Sequence, residues 1–447
     1  MPSSLKICPE WEYLGSEAVA EERACFAALA ICANGHCLTE GHDALANRLR
    51  KAPYLSAYHL AEWLAWNWWR LRWEPRTGAV DWGLSHRLSS VGAGYIWPRI
   101  TLASDGERML VMAEATPERE GTPFRYITHR VEALPATAFE TGVDEFLLQV
   151  LERLDAEGVP QTNLHHVWAD VQAERADARV AYERKLEALL GIDPDESDPQ
   201  VFAQLLTDAS ALGKEATEEL AASIGNLGVA HSGLISVPGL QHWAASKGHL
   251  SAGKDRVRWA TTSASGPAVP RAQTPAWRLG VEAARALRKQ ERFSEQKSIS
   301  DATLVALMGT DAQLLRPVSG DVPTFAFALD DSDQAGHIVL RSRWPSGRRF
   351  ELARLLGDHL MPRGTNRLYP ATSAKTYQQQ LQRAFAAELL CPFETALEML
   401  AGDYSEESQM GVAAHFQVSG MTVQTQLLNN GVVAQATPDD ERFALAA

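Results

Sequence analysis

Three groups of residues in this 447-residue chain have the types and spacing that chemistry or recognition uses. The first is thiol and imidazole: Cys25, Cys32, His36, Cys37 and His42 fall in one short stretch. Zinc takes three or four such ligands at compact spacing. These intervals match no zinc knuckle, and Cys25 and Cys32 stand seven apart among alanines, so buried free thiols are expected and no metal site. The second group is aromatic. Trp63, Trp66, Trp69 and Trp73 recur at helical intervals, with Arg70 and Arg72 beside them. One apolar Trp face suits a buried aromatic core; interleaved with Arg it also suits base stacking or a protein hot spot. The third is basic: Arg285, Arg288, Lys289 and Arg292 make one stripe at i, i+3, i+4 and i+7. That stripe is the chain's best footprint for nucleic acid or an acidic partner, against the ordinary alternative of a solvated face.

A fourth set lies further on. Gly336 to Arg343 reads as a short strand, Pro345-Ser346-Gly347 as a turn, and Arg348 to Met361 as a helix that begins Arg348-Arg349-Phe350-x-x-Ala353. A later helix runs from Gln379 through Phe385-Ala-Ala-Glu-Leu-Leu-x-Pro392. Together these runs resemble the ImmA/IrrE family of zincin-like metallopeptidases over about residues 277–433. That family carries Arg-Arg-Phe-x-x-Ala-His-Glu-x-Gly-His, and a Glu on the later helix completes its zinc ligands. In such a motif two His at i and i+4 share a helix face on the metal, and the Glu beside the first is the general base. Here the resemblance puts Arg354 and Asp358 at the two His positions, Leu355 at the base and Gln379 at the third ligand. A guanidinium does not bind zinc and Leu takes no proton, so no catalytic residue, metal or cofactor is expected. Arg354 and Asp358, four apart, are expected to form an ion pair across the former cleft. His359, with Asp358 and Glu388, is the one improvised ligand set on offer.

Gly411 to Gly431 reads as a helix-turn-helix, as follows the peptidase core in that family. Its second helix, Met421 to Asn430, holds no Lys or Arg, so packing is expected over DNA reading, with Thr422, Gln424, Gln426 and Asn429 the candidates for base edges.

These residues need elements to hold them. Glu17 to Ala33 and His59 to Trp73 read as helices. Arg99 to Glu114 reads as a hairpin about Asp105-Gly106, with Phe124 to Val131 as a third strand. Thr141 to Glu157 reads as an amphipathic helix with Phe146, Val150 and Leu154 on one face. The spacing predicts helix breaks at Gly191 to Pro194 and near Gly213. The expected fold class is α+β, mostly helical: an N-terminal α+β domain (1–160), a helical region (161–261), a linker (262–276) and a degenerate zincin-like domain with a helix-turn-helix-like end (277–447).

The net charge of −14 argues against a whole-surface nucleic-acid binder. No apolar run approaches a membrane span, and Met1 to Lys6 does not open a secretory leader, so a cytoplasmic protein is expected. The resemblance implies a binding or regulatory subunit in a prokaryotic stress-response, toxin–antitoxin or phage-defence setting, with another protein as partner. Two alternatives stay open: a subunit of a nucleoprotein complex using the basic and aromatic surface, and a metallopeptidase with non-standard ligands.

Overall fold

The computed structural model describes residues 3–16, 18–79, 81–117, 122–196, 199–227, 236–251, 271–330, 336–361 and 366–433. The chain is a mostly helical α+β protein. It forms two compact units, one up to residue 197 and one from residue 198.

The first unit is built on β2 (Phe26–Ala33), which pairs antiparallel with β1 (Leu5–Trp11), β3 (His36–Cys37) and β6 (Tyr54–Ser56). Two three-stranded sheets follow. One joins β4 (Gly41–Asp43), β5 (Arg48–Arg50) and β9 (Phe124–Tyr126); the other is β7 (Arg99–Ser104), β8 (Arg108–Glu114) and β10 (Arg130–Pro135). The hairpin turns where expected, because Asp105 Oδ1 accepts from the Glu107 and Arg108 amides at 3.0 and 2.7 Å. Its third strand is β10; Phe124 pairs instead with Asp43 of β4.

The helix expected over Glu17 to Ala33 is corrected. Only α1 (Ala20–Ala24) is helical, and Phe26 to Ala33 is the central strand of its sheet. An alanine-rich apolar run buried on both faces carries no periodicity that separates helix from strand. Strand partners on both edges decide it.

The expected helix over His59 to Trp73 is two, α2 (Ala57–Trp66) and α3 (Trp68–Trp73), broken at Asn67. After α4 (Trp82–His86), α5 (Ala136–Ala156) packs on β1 with Phe139, Val143, Phe146, Leu147, Val150 and Leu154 fully buried. Each such side chain stabilises the fold by about 1.5–3 kcal/mol. Helices α6 (Asn163–Ala176) and α7 (Ala178–Leu190) contribute Leu164, Trp168, Val171 and Ala188 to the same core. The helical region expected as a separate 161–261 segment is therefore divided: its first part belongs to this unit. The breaks at Gly191 and Gly213 are present, both with positive φ.

Beneath α3 and α4 lies a buried polar cluster. Arg70 Nε and Nη2 donate to the Glu74 carboxylate at 2.8 and 3.2 Å. His86 Nδ1 is 2.9 Å from the Trp82 carbonyl, its ring stacks on Trp82 at 4.1 Å, and Nε2 lies 3.7 Å from Glu74. Burial pushes the imidazole down to about 3. Below pH 6.5 the unfolded chain takes a proton that folded His86 refuses, so this residue's contribution to stability is complete above pH 6.5 and falls as pH drops towards 3. Relative to wild type, His86→Gln should gain about 1.4 kcal/mol per pH unit on acidification below 6.5, measured by urea unfolding. A difference between the two proteins that stays constant from pH 6.5 to 4 would show that His86 titrates normally.

The second unit opens with α8 (Pro199–Leu212), α9 (Lys214–Leu227) and α10 (Val237–Lys247). Its sheet runs β11 (His249–Ser251), β13 (Gly336–Val339), β12 (Ala326–Leu329), β14 (Leu368–Ala371), all antiparallel. The expected start of the last domain at residue 277 falls inside this unit, because β11 pairs with β13. The linker over 262–276 lies outside the described residues up to 270; after it come a 3-10 turn (Arg271–Gln273) and α11 (Ala276–Gln290). Then follow α12 (Asp301–Leu307), α13 (Pro345–Leu360), α14 (Tyr377–Leu390), α15 (Phe393–Leu400), α16 (Glu406–Phe416) and α17 (Gly420–Asn429). Among the described residues, no helix is long and apolar enough to cross a membrane.

Candidate functional site: the α13–α14 polar core

Helix α13 starts at Pro345, whose fixed φ suits the first helical turn. Glu351 ties it to the connection that follows β13, accepting from the Arg341 and Ser342 amides at 2.9 and 2.8 Å. The paired arginines of the sequence frame are anchors. Arg348 donates to the carbonyls of Leu314 and Ser342 at 2.7 and 2.8 Å; Arg349 donates to the Ile299 carbonyl at 2.6 Å and pairs with Asp301. Helix α14 is capped by Thr376, which accepts from the Gln379 amide and donates to Glu219 at 2.7 Å.

These constraints bring residues 354, 358 and 379 into one buried layer. Arg354 Nη2 donates to the Thr372 carbonyl at 2.7 Å, to Gln379 Oε1 at 2.5 Å and to Gln382 Oε1 at 3.3 Å. Gln379 Oε1 also accepts from the Thr372 amide at 2.7 Å, and its Nε2 donates to the Pro370 carbonyl at 2.9 Å. Gln382 Nε2 donates to the same carbonyl at 3.2 Å. Asp358 accepts from Gln378. The hydrogen bonds of Arg354 therefore go to residues 372, 379 and 382, and not to Asp358 as the i,i+4 spacing suggested. The inward-facing carbonyls beside β14 and the α14 amides offer better directed acceptors. Leu355 is fully buried in the apolar core.

Burial pushes Arg354 down to about 9, helped by the like charge of Arg383 and opposed by Glu351 and Asp358. It remains a cation at neutral pH. Its Nε is buried without a hydrogen-bond partner. Beside Asp358 and Gln378 the remaining cavity is about 20 Å³, the scale of a single water.

This donor set does not suit zinc. A fixed cation stands at residue 354 and an amide at residue 379, and the two are hydrogen-bonded to each other. His359 is half-buried beside Tyr369, while Glu388 accepts from Arg285 at 2.6 Å and from the Phe393 amide. Among the described residues, no group of three or more His, Cys, Asp or Glu is placed to hold a metal.

The other candidates are dispersed. Arg288 is fully buried: it donates to the carbonyls of Leu389 and Ser294 and to Glu295. It is an internal brace, so the stripe is reduced to Lys289 and Arg292, which are exposed, and Arg285, which pairs with Glu388. The break at Asn67 likewise splits the Trp face. Trp69 is buried with its Nε1 on Glu174 at 2.6 Å; Trp66 points outward; Trp63 and Trp73 are half-buried. Arg70 is sealed on Glu74. Arg72 bonds Glu140 and lies over the Trp73 ring at 3.6 Å. In the helix pair α16–α17, Gln426 turns inward and donates to the Cys391 carbonyl at 3.0 Å, so it is not a base reader. Cys25 is buried as expected, but Cys32 and Cys37 are only half-buried.

Sequence reasoning missed Gln378, Gln382 and Thr372. The signal was a run of four glutamines within five positions, 378–382, at the start of a helix. No family model, curated protein or solved structure matches the chain.

Proposed function

We propose that the second unit is an ImmA/IrrE-like scaffold whose metal centre has been replaced by an internal polar lock, and that the protein acts as a binding or regulatory subunit. The supporting observation is convergence. Positions 354 and 379, which the resemblance makes metal ligands, are bonded directly to each other, and position 358 bonds the neighbour of 379. The frame is kept while its donors are exchanged for a guanidinium and amides. The setting we infer is a prokaryotic stress-response, toxin–antitoxin or phage-defence system, with another protein as partner, and the role rests on outer surfaces of the scaffold. In the nucleic-acid alternative, Lys289 and Arg292 are the exposed cations left to contact phosphate.

Two measurements test this. Purified protein should hold well below one equivalent of zinc, and a chelator should leave its melting temperature unchanged. Stoichiometric zinc that Asp358→Ala removes would overturn the reading. So would peptide hydrolysis by the unmodified chain that Gln379→Ala abolishes. Restoring the base alone, Leu355→Glu, should give no peptidase activity, since water activation needs metal and base together.

A further inference from the structure

The strands β2 and β3 are joined by Asn34-Gly35, both at positive φ (50° and 84°). This is a two-residue hairpin turn, for which Asn-Gly is the preferred pair. Ala33 pairs with His36 next to the turn, and Cys32 pairs with Cys37 one step further. Leu38 N then donates to the Ile31 carbonyl at 2.8 Å. The cysteines therefore occupy a non-hydrogen-bonded position, where antiparallel Cα atoms approach to about 4.5 Å. That lies within the roughly 4.4–6.8 Å that a disulfide spans. Directly opposed residues share a face, so the two cysteine side chains project to the same side of the sheet.

Their surroundings are unequal. Cys37 Sγ is 3.6 Å from Thr39 Oγ1, whose hydroxyl donates to the Lys51 carbonyl at 2.9 Å, and 3.2 Å from that same carbonyl, which accepts from the thiol and resists ionisation. Lys6 stands opposite Cys32 on β1; the charge of Lys51 favours a thiolate at Cys32, and Glu40 opposes one at Cys37. Each thiol shifts the other in the opposite sense: Cys37 is pushed down against its burial, and Cys32 is raised, with burial adding to the rise. Cys25 and Cys391, by contrast, are buried with thiols pushed up to about 12.

We propose that Cys32 and Cys37 are a redox-active dithiol, with Cys37 attacking and Cys32 resolving, whose co-reactant is a low-molecular-weight disulfide. The Cys37 thiolate attacks one sulfur of the disulfide, forming a mixed disulfide and releasing one thiolate. Cys32 then gives its proton to solvent and attacks Cys37 Sγ, releasing the second thiolate. The protein loses two electrons and two protons, and one disulfide becomes two thiols. The site is independent of the reading of the second unit.

The test uses the full chain with oxidised glutathione, quenched in acid and mapped by peptide mass. A Cys32–Cys37 linked peptide, two hydrogens lighter, is expected from wild type. Cys32→Ser should stop at a stable Cys37–glutathione adduct, and Cys37→Ser should react at least about tenfold more slowly. In the unmodified protein at pH 7, iodoacetamide should label Cys37 several-fold faster than Cys8, a measurement that needs no variant. No linked peptide in wild type, no trapped adduct in a folded Cys32→Ser protein, or Cys8 labelled faster than Cys37 would each overturn the proposal.

Discussion

Arg354→Ala is expected to destabilise the second unit by about 3–5 kcal/mol, the range for removing one partner from a buried charged network. The guanidinium fills the layer between α13 and α14, and three acceptors from residues 372, 379 and 382 converge on its Nη2. Truncation leaves a cavity and strips those acceptors of their shared donor. Arg354→Met is the informative companion. It keeps most of the volume and removes a charge whose burial is itself unfavourable, so it should lose less than half as much. Because the chain has two units, unfolding need not be two-state; hydrogen exchange in the peptide covering 377–390 isolates the effect. Protection there unchanged in Arg354→Ala would show that the network does not hold the two helices together.

Gly280→Leu is expected to cost the same unit about 3 kcal/mol or more. Helix α11 lies against α14 with a face of small residues, Ala276, Gly280, Ala283 and Ala284. A Cβ at 280 would stand 2.5 Å from the Leu381 carbonyl oxygen and 2.9 Å from the Phe385 amide nitrogen. Both are backbone, so the helices must separate. Even Gly280→Ala should destabilise, although alanine favours an isolated helix by about 1 kcal/mol over glycine. A Gly280→Ala protein that melts higher than wild type would mean propensity outweighs contact, and that the helices do not touch through backbone.

The mostly helical α+β class, the Asp105-Gly106 hairpin, the apolar face of α5 and the α16–α17 pair were legible in the chain. Each depends on turn chemistry or on a periodicity internal to one element. Positions 354, 358 and 379, which converge in the polar core, were picked out by the resemblance carried by the Arg348-Arg349-Phe350 frame and the Phe385 helix. Their partners were not. The i,i+4 rule brought Arg354 to Asp358, but the Thr372 carbonyl and two side-chain amides on another helix took the guanidinium.

The sequence by itself marked α11, α13, α14 and α17 close to their observed bounds, and it put a cation, an apolar side chain, a carboxylate and an amide at residues 354, 355, 358 and 379. It also held the Asn34-Gly35 turn with a cysteine two residues away on either side, a pairing signal overlooked because the preceding segment read as helix. Only the tertiary structure decided that Phe26 to Ala33 is a strand, that Arg288 and Arg70 point inward, and that Trp66 points out. The physical reason is common to all three. A residue's own periodicity reports which face of its element is apolar. Whether a long polar side chain is buried, or an apolar run is strand or helix, depends on hydrogen-bond partners from elements distant in the chain.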